Sequence, residues 1–412
     1  MSFREEGKWW VSPSNYEEDV VSKLHFPKKI ELLDTTLRDG EQQANIILTR
    51  AEKVEIAKKL DLAGVQRIEA GTPAVIKEDA DAIKEITSLG LNADIYAFVR
   101  NMVKDVEQAK ACGVNGVVAE IPGSEHLLQK GKKWGVEKAV NSAIEATARA
   151  HELGLKVIFF PADSSRASMD FLMDTVQAII EGGGHMDSLA LVDTFGALSP
   201  EGAASRVSKL KNRFPGTPIE CHFHDDFGLG TATTLAGLAA GAEAAHVTVS
   251  GIGERAGSAP LETTVLALEA LYGVHTGIDL SKLKDLSDTV AKYARFPVGT
   301  TAPVVGDKIF MWETGMPSSL WENCKNADPL VMLPYRWDLV GQTEPVLDLG
   351  KKSGKDNLRV WLERYGLDVE EERRGDLLQL VKEKSLEEHR TLHEDEFRQM
   401  VADFNSETVT SI

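Results

Sequence analysis

The sequence predicts a closed (β/α)8 barrel, the TIM-barrel fold, with an α-rich subdomain appended at its C-terminal end. Between residues 29 and 272, a short apolar run that ends in polar residues is followed each time by an amphipathic helical stretch. Eight such units over about 245 residues match the length and strand count of this barrel. A doubly wound open sheet is the alternative, because alternation alone does not show closure.

Each predicted strand is a short run of apolar or β-branched residues. The strands are expected to begin at Lys29, Val65, Asn92, Gly116, Lys156, Ser188, Pro218 and Ala244. The helical stretch after the first strand has a predicted buried face, formed by Val54, Ile56, Ala57, Leu60 and Leu62. Several helices stop at glycine, as at Gly64 and Gly154, which is typical of a C-cap.

The pattern divides the chain into three predicted segments. Residues 1–28 form a polar lead-in, residues 29–275 form the barrel, and residues 276–412 form the helical subdomain. Beyond Leu280 the alternation stops, and a stretch punctuated by Pro and Gly leads into charged helices. The run VEEERRGD within them is expected to be a solvated helix face.

Composition excludes several classes of partner. The chain has 46 Lys and Arg against 64 Asp and Glu, a formal charge of −18, which argues against a nucleic-acid or anionic-membrane surface. Cys112, Cys221 and Cys324 are too few and too scattered for a disulfide framework. No apolar run reaches the roughly 18 residues of a membrane span, and the N-terminus lacks a signal-peptide core. We therefore expect a cytoplasmic protein of metabolic type.

Charged and metal-binding side chains cluster at the predicted C-terminal ends of the strands, where TIM-barrel enzymes carry their active sites. The set comprises Arg38, Asp39, Glu69, Arg100, Asp163, Asp193, His222, His224 and Asp226. Polar residues also occur by chance where a strand passes into a loop, so the set carries more weight than any single member.

The strongest local signal is the pair His222 and His224. Residues i and i+2 of a strand point to the same face, so both imidazoles are expected to project into the barrel mouth. Two neutral imidazoles and a carboxylate bind divalent transition metals, and Asp39 is the candidate third ligand. The alternative is two histidines that only form hydrogen bonds in a polar rim. The predicted cofactor is a divalent cation: Mn²⁺, Mg²⁺ or Zn²⁺.

Two polar residues beside this predicted centre are candidates for contact with an oxyanionic substrate. Arg38 precedes Asp39, and a guanidinium beside a metal could stabilise an enolate or a developing alkoxide. Its alternative role is a structural salt bridge to Glu69 or Asp226. Thr194 could hydrogen-bond a carboxylate, although Thr in this position is also a common helix N-cap.

The segment GIGERAG (251–257) follows the eighth predicted strand and carries Glu254 and Arg255. A glycine-rich loop at this place could close over the site or lie against a phosphate. On its own such a loop is weak evidence of function. Glu254 and Arg255 are predicted to bind substrate, and no catalytic role is assigned to them.

Three motifs closely resemble the isopropylmalate, homocitrate and citramalate synthase family, which is related to hydroxymethylglutaryl-CoA lyase. They are LLDTTLRDGEQ (32–42), CHFHDDFGLGTATTLAGLAAGA (221–242) and HVTVSGIGERAG (246–257). Their order and spacing agree with the family from about Lys29 to Gly273. Downstream, PVVGDKIFMWETG (303–315) and the segment 338–367 resemble the synthases' subdomain, which covers a partner protomer's active site. The resemblance therefore implies a homodimer.

The resemblance implies an enzyme that deprotonates acetyl-CoA, or another acyl-CoA. The enolate would attack the ketone of a metal-chelated 2-oxo acid, and hydrolysis would release CoA. Transferred residue by residue, the family's roles are as follows. The metal ligands would be Asp39, His222 and His224; Arg38 would stabilise the enolate or the ketone, Gln42 and Glu69 would line the pocket, and Thr194 would hold the substrate carboxylate.

The sequence departs from the family pattern in three places. Ser258 stands where many members have an Asn that completes the metal shell. The family's HESGIH segment reads WETGMP at 312–317, and its GKHSG reads GKKSG at 350–354. Lys352 is the candidate replacement for the second histidine as acid or base, provided that burial or nearby cations favour its neutral form. A phosphate or carboxylate contact is the alternative for this lysine.

The acceptor's tail is expected to reach the segments EAGTPA (69–74) and DSSR (163–166), which includes Asp163. GTPA resembles some homocitrate synthases and so implies a dicarboxylic acceptor, whose distal carboxylate Arg100 could bind. Two other functions stay open at this point. One is a metal-dependent carbon–carbon lyase of the hydroxymethylglutaryl-CoA lyase type, and the other is a non-catalytic metabolite-binding protein.

Overall fold

Eight parallel strands close into a barrel in the computed structural model, which describes residues 2–409. In chain order the strands are β1 (Arg4–Glu5), β2 (Trp9–Trp10), β3 (Glu31–Asp34), β4 (Arg67–Glu69), β5 (Asp94–Val99), β6 (Gly116–Pro122), β7 (Lys156–Ala162), β8 (Ser188–Asp193), β9 (Ile219–Phe223), β10 (Ala244–Val247), β11 (Met311–Trp312) and β12 (Val346–Leu347). Strands β3 to β10 form the barrel, and all eight lie where the sequence predicts them.

Through the barrel the α-helices alternate with the strands, and further helices follow after the barrel. They are α1 (Glu18–Val21), α2 (Arg50–Leu62), α3 (Lys77–Ser88), α4 (Val103–Ala111), α5 (Val136–Glu152), α6 (Met169–Glu181), α7 (Pro200–Arg213), α8 (Gly230–Ala239), α9 (Leu261–Tyr272), α10 (Leu283–Ala294), α11 (Gly315–Cys324), α12 (Lys355–Tyr365), α13 (Arg374–Glu388) and α14 (Glu394–Val409). No helix within residues 2–409 is long and apolar enough to cross a membrane.

Strand β10 closes the barrel because it pairs on both sides. Ala244 is in register with Glu220 of β9 and with Glu31 of β3. The predicted closed barrel is therefore confirmed, and the open doubly wound sheet is wrong. Closure brings the C-terminal ends of β3 and β9 to one mouth, although nearly the whole barrel sequence separates them.

Alternate residues of the strands fill the barrel interior. Leu33, Tyr96, Val118, Ile158, Phe160, Ala190 and Val192 form one buried apolar cluster. Below this level the interior is polar: Arg67 donates two hydrogen bonds to Glu220, at 2.8 and 3.1 Å, and Glu220 lies 2.8 Å from His246 Nε2. The interior is thus a packed core with charged residues in it, not a pore.

Helix α2 shows how local sequence positions the barrel helices. It begins with a capping box between Thr49 and Glu52. Four of the five predicted apolar residues are buried, whereas Leu62, the last residue of the helix, is 71% exposed. Lys53 is buried as well, and its ammonium lies 2.6 Å from Glu41 and 2.7 Å from Asp79.

The chain divides into two compact units with boundaries that differ from the predicted ones. One contains Pro13–Val305, and the other contains Phe3–Ser12 together with the chain from Gly306. The division after Val305 falls later than the predicted boundary at 275/276, because α10 stays with the barrel. Arg295, directly after α10, binds Glu52 of α2 at 3.0 Å.

The second unit combines a short N-terminal hairpin with helices α11 to α14. Strands β1 and β2 pair antiparallel, and Trp10 N donates to Pro334 O at 2.9 Å. Part of the predicted lead-in therefore packs with the C-terminal subdomain. The core of this unit is apolar and includes Trp361, Leu377 and Phe397.

Candidate active site

A tight turn after β3 presents the first residues of the site. The backbone amides of Arg38 and Asp39 both donate to Thr35 O, at 3.0 and 2.7 Å. Thr36 Oγ1 accepts a hydrogen bond from Val249 N at 2.8 Å, which links this turn to the segment after β10. The motif LLDTTLRDGEQ is thus folded so that the side chains of residues 38 and 39 are held at the barrel mouth.

Asp39, His222 and His224 converge at this mouth, as the sequence predicts. All three are buried, and their potential ligand atoms lie within 4.8 Å of one another. The two Nε2 atoms are 3.3 Å apart, and each is 3.9 Å from Asp39 Oδ2. Burial and the neighbouring His224 hold the pKa of His222 well below its ordinary value, which favours the neutral imidazole that binds metals.

The chemistry of this cluster fits a divalent cation. Asp39 Oδ1 is buried and has no hydrogen-bond partner among residues 2–409, although a buried carboxylate oxygen is costly to leave unpaired. Ser258 Oγ donates to the other oxygen, Oδ2, at 2.8 Å. Ser258 thus contacts the cluster directly. It stands at the position where many members of the synthase family that the sequence resembles have Asn.

Arg38 lies beside the cluster in a buried polar network. Its Nε donates to Glu69 Oε2 at 2.7 Å, and its Nη1 donates to Gln42 Oε1 at 2.8 Å. Burial opposes the charge, but Glu69 and Asp39 outweigh it and raise the pKa of Arg38. Nη2 is buried and without a partner within the described chain, so one donor is available to a ligand. The salt bridge to Glu69 is therefore present, and it leaves Nη2 free for the predicted contact with a substrate.

Arg100 lines a cavity next to Arg38. The cavity has a volume of about 280 Å³, and its walls include Arg38, Gln42, Thr72, Phe98 and Arg100. The Arg100 side chain is 47% exposed and forms a two-pronged ion pair with Asp105, at 2.7 and 3.1 Å. A substrate carboxylate in this cavity would have to share Arg100 with Asp105.

Asp163 is the centre of a closed polar cluster rather than a free carboxylate. It is buried, with a left-handed backbone φ of 63°. Arg166 binds both of its oxygens, at 2.7 and 3.0 Å, while Ser124 Oγ donates at 2.6 Å and His126 Nε2 lies at 2.7 Å. Thr194 Oγ1 accepts a hydrogen bond from Asp163 N at 2.7 Å.

The loop 251–257 is folded against the barrel. Arg255 binds Asp226 at 2.9 and 2.8 Å and also donates to Thr194 O at 2.6 Å. Glu254, whose side chain is half exposed, lies 3.6 Å from Arg255 Nη1. Gly257 has a φ of 84°, and a Cβ there would lie 1.8 Å from Gly251 O, so only glycine fits this turn.

Lys352 belongs to the second unit. Its side chain is 62% exposed, and its ammonium lies 2.9 Å from Glu313 Oε2. Glu313 Oε1 also accepts a hydrogen bond from Lys352 N, at 2.9 Å. Within the single chain Lys352 is therefore an exposed residue that is paired with a carboxylate.

Three polar residues that could take part in chemistry lie inside the barrel and are not predicted from the sequence. Glu220 and His246 lie below the cluster of Asp39, His222 and His224, with the ring centres of His246 and His222 5.3 Å apart. Glu120 of β6 is partly buried on the inner face of the barrel. Strand alternation is a signal that could have found two of them, because Glu220 is two residues before His222 and Glu120 is two residues after Val118.

The fold and this site define a (β/α)8-barrel protein with a candidate metal centre at the C-terminal ends of its strands. The HMGL-like family matches residues 29–290, and the chain belongs to this family. Solved structures agree on the fold. The hydroxymethylglutaryl-CoA lyase of Bacillus subtilis is 22% identical, with a TM-score of 0.60 over 66% of this chain and 96% of that one.

Curated relatives extend over nearly the whole chain. The homocitrate synthase AksA of Methanothermobacter thermautotrophicus is 35% identical and covers 96% of this chain and 97% of its own length. The (R)-citramalate synthase CimA of Methanocaldococcus jannaschii is 36% identical over 86% of this chain and 70% of its own length. The 2-isopropylmalate synthase 2 of Caldanaerobacter subterraneus is 34% identical, covering 91% and 96%. Each of these relatives is named as a synthase.

Proposed function

We propose that the chain is a metal-dependent acyltransferase that condenses an acyl-CoA, first of all acetyl-CoA, with a 2-oxo acid. The observation that carries this proposal is the buried cluster of Asp39, His222 and His224 beside the charged Arg38, in a chain related over nearly its whole length to a homocitrate synthase. The products would be a 2-hydroxy-2-alkyl dicarboxylate or tricarboxylate and CoA.

The reaction has a simple balance. The methyl group of the thioester loses a proton, and its carbon forms a bond to the keto carbon of the acceptor. The keto oxygen takes up a proton and becomes a hydroxyl group. Water then adds to the thioester carbonyl, the carbon–sulfur bond breaks, and the thiol leaves with a proton.

Asp39, His222 and His224 would hold a divalent cation, Mn²⁺, Mg²⁺ or Zn²⁺. The cation would supply Lewis-acid polarisation of a substrate carbonyl. Arg38 would donate from Nη2 to the developing oxyanion, since its other donors are held by Glu69 and Gln42. In this proposal Glu69 and Gln42 act by orienting Arg38 and by lining the acceptor pocket.

Other predicted residues would bind the substrates. The cavity that contains Arg38 and Arg100 suits an acceptor with a second carboxylate, such as 2-oxoglutarate or oxaloacetate. Thr194 would hold the first carboxylate. Asp163 would shape the neighbouring wall of the pocket by holding Arg166. Glu254 and Arg255 would line the rim of the pocket, where the anionic phosphates of CoA would lie.

Assembly and location complete the proposal. A homodimer would place Lys352 of the second unit at a partner's site, as acid, base or anion contact. A cytoplasmic location agrees with the three unpaired cysteines, because thiols stay reduced there. No nucleic acid or membrane is required by the proposed reaction.

A thiol-release assay tests the function. Purified chain is mixed with acetyl-CoA, Mn²⁺ or Mg²⁺ and a panel of 2-oxo acids. We expect release of CoA with one acceptor, strongest among the dicarboxylic ones, and loss of that release on addition of a chelator. Absence of release with every acceptor, together with cleavage of a 3-hydroxy acid or its thioester, would replace the synthase function with the lyase function.

A further inference from the structure

Glu120 is a carboxylate that the site described so far does not use. It lies on β6 in register with Phe160 of β7. Residues in register on neighbouring parallel strands point to the same face. Phe160 belongs to the apolar cluster inside the barrel, as does Val118, two residues before Glu120. Glu120 therefore points into the barrel, not toward the surrounding helices.

The surroundings of Glu120 connect it to the metal cluster. The Phe160 ring, level with Glu120, lies 5.0 Å from the ring of the metal-ligand candidate His222. The same ring lies 5.9 Å from the guanidinium carbon of Arg38. The charged groups that act on Glu120 are Lys132 and Arg38. Glu120 thus stands at the level of the cluster of Asp39, His222 and His224, and close enough to Arg38 for the two charges to interact.

Glu120 differs from Glu69 and Asp163, two other buried carboxylates of this mouth, because no partner in the described chain binds its oxygens. Within the described residues, no hydrogen bond or ion pair holds its oxygens, and they are not sealed from solvent. Glu69 is bound by Arg38 at 2.7 Å. Asp163 is surrounded by Arg166, Ser124 and His126. A group that transfers protons must be accessible to its substrate, and of these three carboxylates only Glu120 meets that condition.

The position of Glu120 combines burial with two nearby cations. Burial raises the pKa of Glu120, and Lys132 and Arg38 oppose that rise. A carboxylate with a raised pKa is a stronger base than an ordinary one.

We propose that Glu120 is the catalytic base of this site, the group that removes a proton from the α-carbon of the acyl thioester. The proposal rests on the proposed function and names its proton acceptor. The carbon–hydrogen bond breaks, and the proton passes to a Glu120 oxygen. The electron pair moves into the enolate, whose oxygen faces Arg38, and the enolate carbon then bonds to the keto carbon. The protonated Glu120 can then return its proton to the alkoxide oxygen formed from the ketone, which becomes the hydroxyl group.

Glu120→Gln tests this role, because it keeps the size of the side chain and removes the proton acceptor. The matched control is Glu137→Gln, the same change on the exposed face of α5. We expect kcat for CoA release to fall at least about 100-fold in the first variant and to stay unchanged in the second. Exchange of the acetyl-CoA methyl protons with D₂O should fall in parallel, while Mn²⁺ affinity and KM for the 2-oxo acid stay within about threefold of wild type.

Glu120→Ala adds a readout that a purely structural role would not move. Formate or acetate should restore part of its activity, since a small carboxylate can occupy the space and accept the proton. A Glu120→Gln chain with wild-type turnover would overturn the assignment. Loss of Mn²⁺ binding in this variant would also overturn it, since Glu120 would then be a metal ligand.

The two levels of the proposal fail in different ways. If wild type only cleaves a 3-hydroxy acid, the synthase function fails, and the Glu120 role is then judged by whether Glu120→Gln loses that cleavage. If wild type turns over neither kind of substrate, both the synthase function and the catalytic role are wrong.

Discussion

Arg38 and Glu69 form a buried ion pair, with Arg38 Nε 2.7 Å from Glu69 Oε2 and Glu69 fully shielded from solvent. Gln42 takes a second donor of the same guanidinium, at 2.8 Å. Arg38 is thereby fixed in one orientation, with Nη2 left for a ligand. A guanidinium held in advance stabilises a developing charge without reorganising during the reaction.

Arg38→Lys should therefore reduce activity far more than expected for a substitution that retains the positive charge. An ammonium cannot bind Glu69 and Gln42 in the geometry of the guanidinium fork and still donate to a ligand. We expect kcat to fall about 100-fold, with a smaller change in Mn²⁺ affinity. The matched control is Arg50→Lys, whose exposed pair with Glu85 contributes little. Steady-state kinetics with near-wild-type kcat in Arg38→Lys would contradict the assigned role.

His222→Ala should abolish metal binding and turnover together, because it removes one of three ligands from a buried cluster. Titration with Mn²⁺, followed by the signal of free Mn²⁺ in electron paramagnetic resonance, measures the binding. His275→Ala is the control, since the His275 side chain is 85% exposed. Full activity of the His222→Ala chain would refute the metal centre.

Arg100→Ala should raise KM for the 2-oxo acid without a matching loss of kcat, if the acceptor has a charged tail. Loss of one charge-assisted contact corresponds to a rise of about 10-fold or more in KM. Arg149→Ala removes a comparable ion pair, with Glu107, from the helix surface and should leave KM unchanged. Kinetics across monocarboxylic and dicarboxylic acceptors give the comparison. An unchanged KM for every dicarboxylic acceptor would remove Arg100 from the pocket.

The buried Glu262 predicts a dependence of stability on pH. Burial raises the pKa of Glu262 from 4.5 to about 7. In that range the folded chain holds a proton that the unfolded chain has lost, so the free energy of unfolding falls as pH rises from about 4.5 to 7. Glu262→Gln has no such proton, and the fall should be smaller by on the order of 1–3 kcal/mol.

Urea unfolding at several pH values between 5 and 7.5 measures this difference. Glu181→Gln, an exposed change on α6, should keep the wild-type slope. Asp34, whose pKa burial also raises to about 7, adds to the slope of wild type and of Glu181→Gln. Because the charge of Glu262 contributes to that rise, Glu262→Gln weakens the contribution of Asp34 as well. Identical slopes for Glu262→Gln and wild type would show that Glu262 is ionised in the folded protein throughout this range.

Local signals were enough to predict much of the candidate site. His222 and His224 are two residues apart on a strand, so their shared face follows from strand geometry alone. Asp39 follows from the position of strand ends in a barrel, once the number of strands is known. The network around Asp163 could not be predicted in the same way. Its partners Ser124 and His126 lie 39 and 37 residues away in sequence, and their contact depends on how neighbouring loops fold.

The sequence by itself determined the eight strand–helix units, their order and the metal-ligand candidates, because periodicity and strand-end position are local properties of the chain. Only the tertiary structure decided that the sheet closes and that α10 belongs to the barrel. It also decided which charges are engaged: Arg100 binds Asp105, Arg255 binds Asp226, and Glu120 has no partner in the described chain. The physical reason is that the pairing and burial of a charge depend on groups that lie far apart in sequence and meet only when the barrel closes.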